Sequence, residues 1–371
     1  MKVLIAAAGT GGHINPGIAI ANKIKKENPQ AEITFVGTKN GLENTLVPKA
    51  GYKLYTIEAY GFSRKITFNN FTKMIKTIKS TKTAKQFIEE YRPDIVIGTG
   101  GYICGPVFLS ATKLKIPTIL HESNAFPGVA VKLLSKKVDE VLVSFEDAKK
   151  RLKKAKKVVV TGTPTNIKNL KLPEEEKNKV KKNLGIRLDL PLILVFGGSQ
   201  GAKSINESLL EIFKQKLNSN YQIIFATGPK QYDDYKVELS KNGLNIDYIL
   251  NTKIVPYIYN MEEIMNVSDL IICRSGAMTV TEISLLGKPA IFIPFPFATE
   301  NHQEYNAKVL ENIDAAKIIL DKDLTAQKLS DTINNIINDK NILDKMSKNS
   351  ESIAIKNTED VIYKEIIKCL K

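Results

Sequence analysis

The chain has 371 residues, 43% apolar and 25% charged, with 54 basic against 39 acidic side chains for a net charge of +15. That mixture excludes a disordered chain, a collagen-like fibre and a disulfide-stapled miniprotein, and the length suits about two domains. The basic surplus calls for a negatively charged partner: nucleic acid, an anionic membrane surface or a phosphorylated substrate.

In chain order, short β-rich apolar runs alternate with Gly-rich turns and helical stretches. The opening Lys2–Ala8 imitates a secretory signal, but Gly9-Thr10-Gly11-Gly12 cuts it off, so it reads as a buried first strand. Strands are expected at Lys2–Ala7, Glu32–Val36, Lys53–Ile57, Asp94–Gly98, Thr118–Leu120, Glu140–Val143 and Lys157–Val160. A second series follows at Pro191–Phe196, Gln222–Ala226, Asp247–Ile249, Leu270–Cys273, Pro289–Ile293 and Ala315–Ile319. Continuous apolar strands between helices predict an α/β chain with doubly wound parallel sheets. A polar, Pro-containing stretch near Gly162-Thr163-Pro164 separates the series. One domain is therefore expected over 1–162, completed by a closing helix over 353–371, and another over 163–352. The cysteines, Cys104, Cys273 and Cys369, are odd in number and far apart, which fits a reducing compartment. No run approaches the ~18–20 apolar residues of a membrane helix, so membrane contact is expected to be peripheral.

Several motifs carry chemistry. Thr10, Gly11 and Gly12 precede a helix expected near Pro16; the turn is either an anion-binding corner or a plain strand-to-helix connection. His13 closes that turn, and an imidazole there suits a general base. The three histidines, His13, His121 and His302, are all expected in loops after strands, without metal-ligand spacing. Gly98-Thr99-Gly100-Gly101-Tyr102 repeats the Gly-rich pattern. His121-Glu122-Ser123-Asn124 puts four polar side chains at a strand's carboxyl end, where ligands sit in such folds. Gly197–Gly201, with Ser199 and Gln200, fails the P-loop pattern because Ala202 precedes Lys203; it reads as a pyrophosphate loop or a plain turn.

Arg274 and Ser275 open a helix whose Glu282 suits a ribose, or is a solvated glutamate. His302, Gln303 and Asn306 share a helical face suited to sugar hydroxyls. Asp321-Lys322-Asp323 reads as a cap or solvated turn rather than a metal site. Phe62–Lys85 interleaves seven large apolar with seven basic residues and no acid. It fits an anionic lipid surface or an ordinary amphipathic helix; no RNA-binding signature accompanies it.

Taken in order, Gly9–Pro16, Gly98–Tyr102, His121–Asn124, Gly197–Gly201, Arg274–Ala277 with Glu282, and His302-Gln303 with Asn306 resemble the MurG family of N-acetylglucosaminyltransferases of peptidoglycan synthesis. Ser123 stands where the family usually carries Gln, and Asn166 where some members carry arginine.

The resemblance implies a GT-B fold, two Rossmann-like domains facing across a cleft. The first would hold a lipid-linked acceptor and the second UDP-GlcNAc. It implies transfer of GlcNAc, with inversion, to the MurNAc 4-hydroxyl of lipid I, giving lipid II and UDP. His13 would be the base. Thr10, Gly11, Gly12, Asn124, Asn166, Ser199, Gln200, Ile258, Arg274, Ser275, Glu282, His302 and Gln303 would bind the donor. Gly100, Gly101, Tyr102, His121 and Glu122 would form the acceptor loops. No cofactor, metal or nucleic acid is implied, and the enzyme would sit on the cytoplasmic face of the cell membrane. Alternatives are another GT-B enzyme (a diacylglycerol glycosyltransferase or UDP-GlcNAc 2-epimerase) or a non-catalytic nucleotide-sugar-binding protein that docks on membranes.

Overall fold

The computed structural model describes residues 1–59, 68–165, 167 and 172–371, with backbone alone over 68–78. Two compact units divide them: residues 1–166 with 355–371, and residues 167–354.

In the first unit β1 (Lys2–Ala7), β2 (Glu32–Gly37), β3 (Lys53–Thr56), β4 (Ile95–Gly100), β5 (Thr118–Glu122), β6 (Glu140–Val143) and β7 (Val158–Val160) form a parallel sheet, ordered β3-β2-β1-β4-β5-β6-β7. The pleat sorts the first strand cleanly. Val3, Ile5 and Ala7 join one core, and Leu4, Ala6 and Ala8 the core on the opposite face. A sheet buried on both faces explains the unbroken apolar runs.

In the second unit β8 (Leu192–Phe196), β9 (Gln222–Ala226), β10 (Thr252–Val255), β11 (Leu270–Cys273), β12 (Ala290–Phe292) and β13 (Ala316–Ile318) are parallel in the order β10-β9-β8-β11-β12-β13. The strand expected at Asp247–Ile249 is absent there. Ile246–Tyr248 is a 3-10 turn, because the Asn245 side chain accepts the Asp247 N–H at 3.0 Å and bends the chain locally. Strand β10 begins at Thr252 instead.

The first helix also departs from expectation. It spans Gly11–Glu27, and Pro16 lies inside it. An interior proline costs about 3 kcal/mol. Against that, Ile14, Ile20 and Ile24 are fully buried, each contributing roughly 1.5–3 kcal/mol. The last helix, Thr358–Cys369, packs on the same face of the first sheet through Ile362 and Ile366.

Candidate functional site

The carboxyl ends of β1 and β4 are adjacent, and the chain leaves them towards opposite flanks of the sheet. In doubly wound sheets that divergence opens a crevice. His13 sits beside it, in the first turn of the helix rather than in a loop. Its N–H and that of Ile14 reach the Thr10 carbonyl at 3.0 and 3.1 Å, leaving the Gly11 and Gly12 N–H groups unpaired within the helix. The His13 ring is half-buried. Its Nδ1 lies 3.1 Å from the Ala8 carbonyl, and Thr99 Oγ1 donates to the His13 carbonyl at 2.7 Å. A carbonyl only accepts, so Nδ1 carries the proton and Nε2 presents a lone pair. Gly100 and Gly101 make this packing possible. A Cβ there would stand 2.4 Å from His13 Cδ2 and 2.4 Å from the Ala8 oxygen, respectively. Tyr102, on the same turn, is exposed.

His121 and Glu122 are residues of β5 itself, both buried. His121 Nε2 meets the Gly162 carbonyl at 2.9 Å, and burial pushes its pKa down to about 4 despite that bond. Glu122 accepts from Asn124 N, Asn124 Nδ2 and Gly128 N at 2.8–2.9 Å. Glu122 thus shapes the loop that follows β5. Asn166 lies outside the described residues.

In the second unit β8 and β11 are the diverging pair. Ser199 and Gln200 are exposed on the turn after β8, ahead of the helix Lys203–Lys214. The Arg274 guanidinium is held by the fold. It donates to the Ile293 and Pro294 carbonyls, to Asp321 Oδ1 at 2.5 Å and to Ser204 Oγ at 3.0 Å. One side chain thus ties together the segments that follow β8, β11, β12 and β13. Asp321 is accordingly an ion-pair partner rather than a solvated turn residue.

Ser275 Oγ donates to the Gln303 carbonyl, and Asn306 Nδ2 to the Ser275 carbonyl, so buried Asn306 belongs to the scaffold. Gln303 Oε1 accepts the Phe295 N–H. His302, which starts a helix, holds the Thr299 carbonyl through Nδ1 at 2.7 Å, leaving Nε2 for a ligand. Ile258 is buried beside the exposed Tyr257. Glu282 stands in the helix Ala277–Leu285; burial, with the Glu262 carboxylate adding, pushes its carboxyl up to about 7.

One residue that the sequence reading passed over is Glu43. Its buried carboxylate takes the N–H of Gly9 at 3.0 Å and both the N–H and hydroxyl of Thr38 at 2.8 and 2.6 Å. The only signal was the Gly37-Thr38 pair closing a strand. Among the described residues no cluster of three or more His, Cys, Asp or Glu is placed to hold a metal, and no helix is long and apolar enough to cross a membrane.

Two Rossmann-like parallel sheets, each with a point where neighbouring strands diverge, are the architecture of a GT-B glycosyltransferase. Residues 3–143 match the Glycosyltransferase family 28 N-terminal domain, and residues 192–364 its C-terminal domain. The chain is 44% identical to an Acetivibrio thermocellus protein over 99% of this chain and 98% of that one. It is 46% identical to a Ruminiclostridium cellulolyticum protein over 99% and 100%. Both are named UDP-N-acetylglucosamine–N-acetylmuramyl-(pentapeptide) pyrophosphoryl-undecaprenol N-acetylglucosamine transferase. The crystal structure of Acinetobacter baumannii MurG is 30% identical and superposes with a TM-score of 0.79 over 99% of each chain. The chain belongs to the MurG family. The Neisseria meningitidis UDP-GlcNAc 2-epimerase shares the fold at 18% identity, with a TM-score of 0.66 over 99% of this chain and 100% of that one.

Proposed function

We infer that this enzyme transfers GlcNAc from UDP-GlcNAc to the 4-hydroxyl of the MurNAc in lipid I, giving lipid II and UDP. Family membership over the whole chain carries the reading; the epimerase and glycolipid-transferase alternatives lack comparable support. The first unit holds the acceptor and the second the donor. His13 Nε2 takes the proton of the acceptor hydroxyl. The hydroxyl oxygen bonds to the sugar C1 from the face opposite UDP. The bond from C1 to the diphosphate oxygen breaks, and its electron pair leaves with UDP, so the α-linked donor gives a β-linked product.

Ser199, Gln200 and the free N–H groups of the helix after them receive the charge growing on the diphosphate. Ile258 lines the uracil site, Glu282 binds the ribose, and His302 with Gln303 reads the sugar hydroxyls. Arg274 and Ser275 keep this pocket in shape. Thr10, Gly11, Gly12 and Asn124 complete the donor contacts, while Gly100, Gly101, Tyr102, His121 and Glu122 form or support the acceptor loops. The protein docks peripherally on the cytoplasmic membrane face through Phe62–Lys85 and takes no nucleic acid. Incubation with UDP-GlcNAc and a soluble lipid I analogue tests the reading: UDP should be released only when the acceptor is present. Release without acceptor, or binding without turnover, overturns it.

A further inference from the structure

We propose that Glu43 is a positioning residue for His13, acting through the single peptide group between Ala8 and Gly9. The geometry is a chain of three groups. The Glu43 carboxylate accepts the Gly9 N–H at 3.0 Å. The carbonyl of that same peptide, Ala8 O, accepts the His13 Nδ1–H at 3.1 Å. A negative charge on the N–H end polarises the peptide and strengthens its carbonyl as an acceptor. The imidazole proton is thereby fixed on Nδ1, and the Nε2 lone pair is kept for accepting a proton. In hydrolase triads a carboxylate does this for a histidine directly; here a peptide is interposed.

The carboxylate is built in. Its other oxygen is fixed by Thr38, whose carbonyl is itself held by Asn44 Nδ2 at 2.8 Å. A Cβ on Gly41 would lie 2.0 Å from Glu43 Oε2, so the space for the carboxylate depends on glycine there. Burial works to raise the Glu43 pKa, but the hydrogen bonds from Thr38 and Gly9 outweigh it, and the group titrates below the ordinary glutamate range. The same bonds that hold the carboxylate in place therefore favour its charged form.

The inference rests on His13 being the base, and its test separates the two ideas. Glu43→Gln keeps the shape but replaces a charged acceptor with a neutral group whose amide meets a donor on one side. With nitrogen-15-labelled histidine, the three imidazoles can be resolved by NMR. The variant should show His13 drifting from the Nδ1–H tautomer towards Nε2–H. Its kcat should fall about tenfold, the size of effect at the low end for outer-shell partners of metal-bound histidines, with the KM for UDP-GlcNAc within about twofold. A folded variant with the wild-type tautomer and kcat overturns the proposal. Should Glu43→Gln not fold, Glu43→Asp, which shortens the reach of the carboxylate to the Gly9 N–H, should shift the tautomer in the same direction by less; an unchanged tautomer in Glu43→Asp is equally fatal. Wild-type turnover in His13→Ala removes the base assignment instead, whatever the tautomer shows.

Discussion

Glu122 ends a strand and Glu282 lies inside the helix that follows one, and their surroundings differ. Glu122 has three hydrogen bonds from its own loop. Glu282 is covered enough to be pushed up to about 7, and among the described residues no hydrogen bond to its carboxyl offsets this. A carboxyl left without donors is suited to ligand hydroxyls, whose bonds favour its ionised form. UDP should therefore bind more tightly at pH 8 than at pH 6, with a proton released on binding, and calorimetry in buffers of different ionisation heat measures both. Glu282→Gln should flatten that dependence, and Glu282→Ala should weaken UDP and UDP-GlcNAc alike by about 1.5–3 kcal/mol. A loss confined to UDP-GlcNAc would move Glu282 to the sugar. His121 is the opposite case: His121→Ala orphans the buried Gly162 carbonyl and should cost about 1–3 kcal/mol of stability, while leaving the UDP affinity unchanged.

Among the elements, the helix Thr358–Cys369 is fastened by charge as well as by Ile362 and Ile366. Lys157 Nζ reaches Glu140 at 3.0 Å and Glu365 at 2.5 Å. Burial pushes Glu140 up to about 7, with Lys157 opposing and Glu365 assisting. Glu365, although burial alone would raise it, is held low by Lys157 and Lys368. For Glu140 the folded value exceeds the ordinary 4.5, so its contribution to stability is complete below pH 4.5 and lost as the pH rises to about 7. Glu140→Gln lacks that loss. Its Tm relative to wild type should rise between pH 5 and pH 8, by an amount equivalent to about 1–2 kcal/mol after allowing for screening at half-exposed Lys157. A difference independent of pH would show that the pair is fully solvated.

The strands were legible because both sheets are buried on both faces, so each strand stands out as an apolar run. Asp247–Ile249 misled because buried Ile246 and the apolar residues after it sit on an Asn245-capped turn. Of the site, the Gly-rich turns were legible, since their meaning is local. Glu43 and the Arg274–Asp321 pair were not, because their partners lie 34 and 47 residues away in sequence. A carboxylate's role is then set by the sheet order, which brings β2 beside β1.

For the whole molecule, the net charge of +15 is what the proposed docking on an anionic membrane surface draws on. The acid-free Phe62–Lys85 stretch is the segment we assign to the membrane. Basic groups near an anionic surface contribute about 1 kcal/mol each, and apolar side chains add an insertion term at the headgroup boundary. Salt screens the first and leaves the second. Sedimentation with phosphatidylserine-containing vesicles should therefore fall as salt rises but level off above zero. Phe68→Ser with Phe71→Ser should lower that plateau, while turnover of a short-chain soluble acceptor persists. Elsewhere on the first unit, Val129 and Leu133 are exposed beside Lys132 and Arg151, which lie 3.7 and 4.8 Å from the Phe126 ring centre. If the double serine variant binds vesicles as wild type does, while Leu133→Ser lowers the plateau, this second basic and apolar surface makes the contact and the assignment to Phe62–Lys85 is wrong.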